Sequence, residues 1–195
     1  MKKRIIKNKL LFKLIIITII AFIIGILFIA ILSKSNKEMI KDNLETYFNS
    51  IKKLNYTKGI INSITNNYIC IITIWILGLS IIGIPIIILI LIYKSFILGF
   101  SLSSIIYFYN FKGILLALIY IIPLAINLLL IFILCYYAVI VSINLNRLLF
   151  LKKHIDYRNI MRKYTKIFIF IITLVTISSF IEIYLIPSVF KLLQI

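Results

Sequence analysis

The stretch from Trp75 to Phe100, WILGLSIIGIPIIILILIYKSFILGF, allows very few folds. Only Gly78, Ser80, Gly83, Pro85, Lys94, Ser95 and Gly99 relieve its apolar character, and it lies inside a longer apolar run from Ile69 to Phe111. About 20 apolar residues carry a helix across a bilayer, so this run is long enough for two crossings. Lys94 near its middle predicts a lipid-buried helical hairpin turning there. In lipid each backbone amide must be paired inside the segment or by a close neighbour. The glycines and proline therefore predict packed partners. With 63% hydrophobic residues in 195, the chain carries more apolar surface than a soluble domain of this size needs. Its runs are apolar on every face, which excludes the alternating pattern of a β-barrel.

The charge has a location. Net charge is +17, from 22 Lys+Arg against 5 Asp+Glu. Those cations lie between the apolar runs, where anionic lipid and insertion topology account for them without nucleic acid. Residues 1–13 hold six cations and no acid, and an apolar run over 14–32 follows. That run is too long for a signal-peptide core and has no small-residue cleavage site before Ser33. It reads as a first span with a cytoplasmic N-terminus, in which Ala21 and Gly25 make a small-xxx-small pair. Residues 147–166 carry seven cations against Asp156 and read as a cytoplasmic basic loop, with His154 solvated inside it.

Residues 33–68 form the polar outer segment. Ser35 and Glu38 fit a capping box. Ile40, Leu44, Tyr47, Phe48, Ile51 and Leu54 then recur at helical spacing opposite Lys41, Asp42 and Glu45. An amphipathic helix from about Lys37 to Leu54 is predicted, lying on the bilayer, docking a partner or packing on its own bundle. A break near Asn55–Gly59 and a short Asn-rich return should follow it.

The reading is an all-α integral membrane protein, one polytopic domain over 1–195. It has five transmembrane helices at about 14–32, 69–93, 95–111, 114–142 and 167–190, with N-terminus in and C-terminus out. Pro85 should kink the second, since it lacks an amide hydrogen and crowds the carbonyl of Ile81. Ser95, Gly99 and Ser103 give the third a face nearly bare of bulk, suited to helix packing. Lys112-Gly113 marks the next turn. Pro123 should kink or split the fourth, with Asn127 one turn later pairing a freed carbonyl. The last holds Glu182, and a carboxylate at membrane depth invites a named role. Cys70 and Cys135 read as small packing residues.

With these residues in place, the chain resembles the stage II sporulation protein M family of endospore-forming bacteria. The resemblance rests on WILGLSIIGIP at 75–85, YKSFILGF at 93–100, the Pro123/Asn127 pair and EIYLIP at 182–187, which includes Pro187. Ser95 departs from the glycine expected after the lysine. The resemblance implies a multi-pass protein of the mother-cell membrane at the sporulation septum, without enzymatic activity. It also implies two partners, the peptidoglycan-degrading stage II sporulation proteins D and P, held at the leading edge of the engulfing membrane. The residues agree with that expectation. One histidine and one intramembrane acid supply no HExxH, paired acids or activated nucleophile, so no catalytic residue, metal or cofactor is assigned. The competing reading is a transporter or permease subunit, with Pro85 and Pro123 breaking helices and Glu182 as coupling carboxylate. No internal repeat supports it.

Overall fold

The computed structural model describes the backbone at residues 2–52, 56–80, 82–149 and 156–193, and side chains at 8–46, 65–80, 82–149 and 156–181. Five helices carry these residues: α1 (Lys2–Ile31), α2 (Lys34–Lys52), α3 (Tyr56–Gly78), α4 (Gly83–Leu149) and α5 (Tyr157–Leu193). No strand occurs among the described residues. α1, α4 and α5 contain stretches long and apolar enough to cross a membrane, and α3 contains a shorter apolar stretch, Thr65–Gly78.

α4 has 67 residues, which as one straight rod would measure roughly 100 Å. Asn110 divides it. Its φ of 48° and ψ of −125° lie outside the helical basin, in a region where asparagine is among the few tolerated side chains. The two legs, residues 83–109 and 111–149, fold back on each other. Leu98, Leu102 and Ile105 of the first share a core with Leu116 and Ala117 of the second. Farther from the turn, Cys135 Sγ lies 3.9 Å from the Ile87 carbonyl oxygen. The expected turn at Lys112-Gly113 is therefore at Asn110, two residues earlier.

The expected turn at Lys94 is not formed. The first leg is helical through Lys94-Ser95, and the chain turns instead between Gly78 and Gly83. There the Leu79 and Ser80 amides donate to the carbonyls of Ile76 and Leu77, both at 3.0 Å. Pro85 follows in the first turn of α4, where its missing amide hydrogen costs nothing, so it starts a helix and kinks none. A Cβ on Gly83 would collide with the Leu77 carbonyl oxygen. A single lysine is a good helix former and does not end a helix. The apolar run is continuous across the real turn, so hydropathy could not mark it. Helices 56–78 and 83–109 thus replace the expected spans 69–93 and 95–111, and Gly59 with the Asn-rich return belongs to α3.

Other boundaries move less. Pro123 lies inside a continuous helix, so the second leg is one piece. α2 is capped by Ser33, whose Oγ accepts from the Asn36 amide at 3.4 Å, and Ser35 is inside the first turn. α5 begins ten residues before the expected 167, because Asp156 caps it, accepting from the Asn159 amide at 3.3 Å. Part of the expected basic loop is therefore helix.

The larger core draws on α1, α3, both legs of α4 and α5, through Leu14, Ile71, Ile74, Ile87, Leu91, Leu134, Ile171 and Val175. The smaller lies under the α4 turn, with Leu44 of α2 and Phe22 of α1 packed against it.

Candidate assembly interface

The residues singled out by their chemistry fall into four places. The first is the crossing of α1 and α4. A Cβ on Gly25 would collide with the Phe96 carbonyl oxygen and stand 3.0 Å from the Phe100 amide nitrogen. A Cβ on Gly99 would collide with the Phe22 carbonyl oxygen and stand 3.2 Å from the Ile26 nitrogen. Backbone thus rests on backbone, reciprocally. Ala21 is buried beside it, and Phe28 sets its ring edge-on to Phe96 and Phe100 at 5.3 and 5.9 Å. Of the predicted seam, Ser95 and Gly99 are buried and Ser103 half-buried. The serines turn inward, Ser95 Oγ donating to the Leu91 carbonyl at 2.7 Å and Ser103 Oγ to Phe100 at 3.0 Å. The Gly25 and Gly99 contacts show that the chain's own α1 covers this seam at Gly99.

The second place is the junction where α3 ends. Tyr164 is buried and its hydroxyl donates to the Trp75 carbonyl at 3.2 Å. Ser142 Oγ reaches the carbonyls of Gly78 and Ser80 at 3.0 and 2.8 Å. These side chains satisfy carbonyls left open at a helix C-terminus. Trp75 stacks on Phe168 at 4.8 Å and on Tyr164 at 6.4 Å, and its Nε1 has no partner among the described residues. Gly78 makes room for this, since a Cβ there would collide with the Tyr164 hydroxyl and lie 2.9 Å from Ala138 Cβ.

Tyr164 and Ser142 were not legible as site residues. The first sat in a stretch read as a solvated basic loop. Its signal was there: Tyr157, Ile160, Met161, Tyr164, Phe168 and Ile171 continue the helical period of the last span backwards into the charges.

The third place is between α4 and α5. Pro123 and Asn127 are buried, and Ser178 Oγ donates to the Pro123 carbonyl at 3.4 Å. Asn127 does not take the predicted role, for its side chain bonds no carbonyl among the described residues and its Oδ1 has no partner there. Farther along, α3 meets α5 antiparallel through Tyr68 and Thr176 hydroxyls at 2.7 Å and Asn67 Nδ2 on Ser179 Oγ at 3.4 Å.

The fourth is α2 over the α4 turn. Lys37 Nζ stands 5.0 Å from the Tyr107 ring centroid, and Leu44 packs on the small core. Lys41 pairs with Glu45 at 3.7 Å on the exposed face, while Met39, Tyr107 and Phe111 are exposed. The side chains of Glu182 and Pro187, and all of His154, lie outside the described residues. Among the described residues no three His, Cys, Asp or Glu side chains gather as a metal site.

A family model described as Stage II sporulation protein M matches residues 15–187, most of the chain. Comparison with curated proteins and with solved structures found no match.

Proposed function

The chain belongs to the stage II sporulation protein M family, a sporulation-related membrane protein, and on that premise we propose that it is a non-enzymatic scaffold of forespore engulfment. It sits in the mother-cell membrane at the septum. There it positions the peptidoglycan-degrading stage II sporulation proteins D and P. Five crossings serve this role: α1, α3, the two legs of α4, and α5, with the N-terminus inside and the C-terminus outside. The described end cations divide accordingly. Lys9, Lys13, Arg147, Arg158, Arg162, Lys163 and Lys166 lie toward the inner end, opposed by Asp156, and Lys34, Lys37, Lys41 and Lys112 toward the outer end with Glu38, Asp42 and Glu45.

The observation that carries the reading is α2, an amphipathic helix resting on the turn of a hairpin and presenting a charged face outward. The polar groups inside the bundle mostly serve helix backbone, as at Ser95, Ser142 and Tyr164. That is the economy of a rigid support.

Two experiments test it. A reporter active only outside the membrane should work after Ile195 and fail near Lys153; activity from both fusions removes the five-crossing arrangement. Crosslinking and affinity capture from sporulating cells should recover the wall hydrolases. The triple change Lys41→Ala, Asp42→Ala, Glu45→Ala should lose them at an unchanged protein level. Unaltered capture would move the docking face off α2. For the transporter reading, Glu182→Gln decides: a scaffold keeps engulfment and partner localisation, whereas a coupling carboxylate loses function with partners still bound.

A further inference from the structure

The start of α5 carries its charges on one face. Arg158, Arg162 and Lys166 recur every four residues and are exposed, while Ile160, Tyr164 and Phe168 turn the other way, into the core. Farther along the helix the exposed face becomes apolar: Ile169 is 57%, Phe170 63% and Ile177 56% exposed. On the five-crossing arrangement proposed above, on which this inference rests, those apolar residues face lipid. The three cations are therefore on the lipid-facing side of the same helix. Insertion topology counts cations and is blind to the face that carries them, so it does not account for this alignment.

Depth follows from Tyr164. Its hydroxyl bonds the Trp75 carbonyl, which sets it beside the last turn of α3, where the chain reverses into α4. Lys166 is then roughly 3 Å deeper in the membrane than Tyr164, and Arg158 roughly 9 Å farther toward the cytoplasm. The polar layer of one leaflet is roughly 5–8 Å thick, so the stripe crosses it. Helical side chains lean toward the N-terminus, here the inner end, and the stem of Lys166 can lie along apolar surface while its ammonium reaches the headgroups. α1 repeats the pattern. Lys9 and Lys13 are exposed, Ile16 and Ile20 continue their face, and Leu10 packs on the same core as Ile160.

Among the described residues none of the three cations forms an ion pair, and position keeps every acid of the chain from them. Glu38, Asp42 and Glu45 are on α2 at the outer end. Glu182 is sixteen residues beyond Lys166 on α5, roughly 24 Å along the axis. Asp156 is held by Asn159, which donates to both its carboxylate oxygens. Like charges four residues apart oppose a helix. So do cations near its N-terminus, and α5 has no acid in its first turn. An external anion relieves both.

We infer that the face of α5 at Arg158, Arg162 and Lys166 binds the phosphate of an acidic phospholipid in the inner leaflet, whose acyl chains lie along Ile169 and Phe170. A polyanion in water would meet the cations without the apolar surface that continues them. A lipid matches both.

The test titrates the full chain, purified in neutral detergent, with phosphatidylglycerol and with phosphatidylcholine, counting bound lipid by native mass spectrometry. Phosphatidylglycerol should bind at least tenfold tighter. Arg162→Gln and Lys166→Gln should each weaken it roughly fivefold and leave phosphatidylcholine unchanged. Lys112→Gln removes the same charge at the outer end and should change nothing; an equal loss there would reduce the effect to net charge and overturn the inference. Displacement by excess inorganic phosphate would overturn it too, in favour of a free-anion site. In sporulating cells a photoreactive residue at Phe170 should yield a phospholipid adduct, and an adduct to a protein instead would make this face a protein interface. The leaflet is read separately in a Cys70→Ala, Cys135→Ala background, where a membrane-impermeant maleimide should label Ile82→Cys from the inner side. Labelling from the outer side would overturn the five-crossing reading and the inner-leaflet site together. Inner labelling with lipid binding indifferent to the three cations would overturn the inference alone.

Discussion

α1 and α3 both pack on α4, and they are held by opposite means. At the α1 crossing the side chains have been taken away. Gly25 and Gly99 let two backbones touch, and the serines nearby bond within their own helix. Around α3 the side chains make the contact: Tyr164 and Ser142 bond its last carbonyls, Tyr68 and Asn67 bond α5, and Trp75 stacks on Phe168 and Tyr164. Lipid tails are as apolar as leucine, so burial alone drives neither association. Close approach and polar pairing are the two remaining ways, and this chain uses one on each side of α4. The difference lies in tolerance. A backbone contact cannot accommodate an added atom, while a set of side-chain bonds shares the loss of any member.

The largest expected effect follows from the first property. Gly99→Leu drives a branched side chain into the Phe22 carbonyl, and loss of folded protein is expected, beyond the roughly 1–3 kcal/mol typical of overpacking. Leu98→Ile, one residue away, should cost less than about 1.5 kcal/mol. Yield and detergent unfolding measure both, and equal behaviour would mean that α1 does not rest there.

A sharper comparison uses one methyl group at each site. At Gly99 it meets backbone; at Gly78 it meets side chains, the Tyr164 hydroxyl and Ala138 Cβ. Gly99→Ala should therefore destabilise more than Gly78→Ala, by about 1 kcal/mol or more. Tyr164→Phe should recover part of the Gly78→Ala loss and none of the Gly99→Ala loss. A double-mutant cycle with zero coupling between 78 and 164 would refute this account.

Smaller effects belong to the polar side. Ser142→Ala removes the donor to two carbonyls at the α3 terminus and should cost about 1 kcal/mol. Tyr68→Phe removes one hydroxyl pair and should cost about 0.6 kcal/mol, the usual size for such bonds between membrane helices. A Tyr68→Phe effect larger than that of Ser142→Ala would reverse the order of importance along α3.

How much of this was readable residue by residue depends on what each feature needs. Gly25 and Gly99 were legible because small residues at spacing four advertise close packing whatever the partner; that they meet each other was not. The turn at Asn110 was nearly legible from Lys112-Gly113. The turn between Gly78 and Gly83 was hidden inside an unbroken apolar run, and Lys94 drew the eye to the wrong place. Tyr164 was obscured by the cations around it, although its helical period was intact.

Composition and periodicity by themselves determined that this chain is helical and of membrane type. A bilayer core offers backbone amides no water, so segments whose side chains are apolar on every face pair their amides within helices. The order and spacing of its motifs determined its family. Only the tertiary structure decided where the helices turn and which faces meet. Hydropathy measures the cost of water, and inside lipid a turn, a glycine notch and a lysine are distinguished by the neighbours they find.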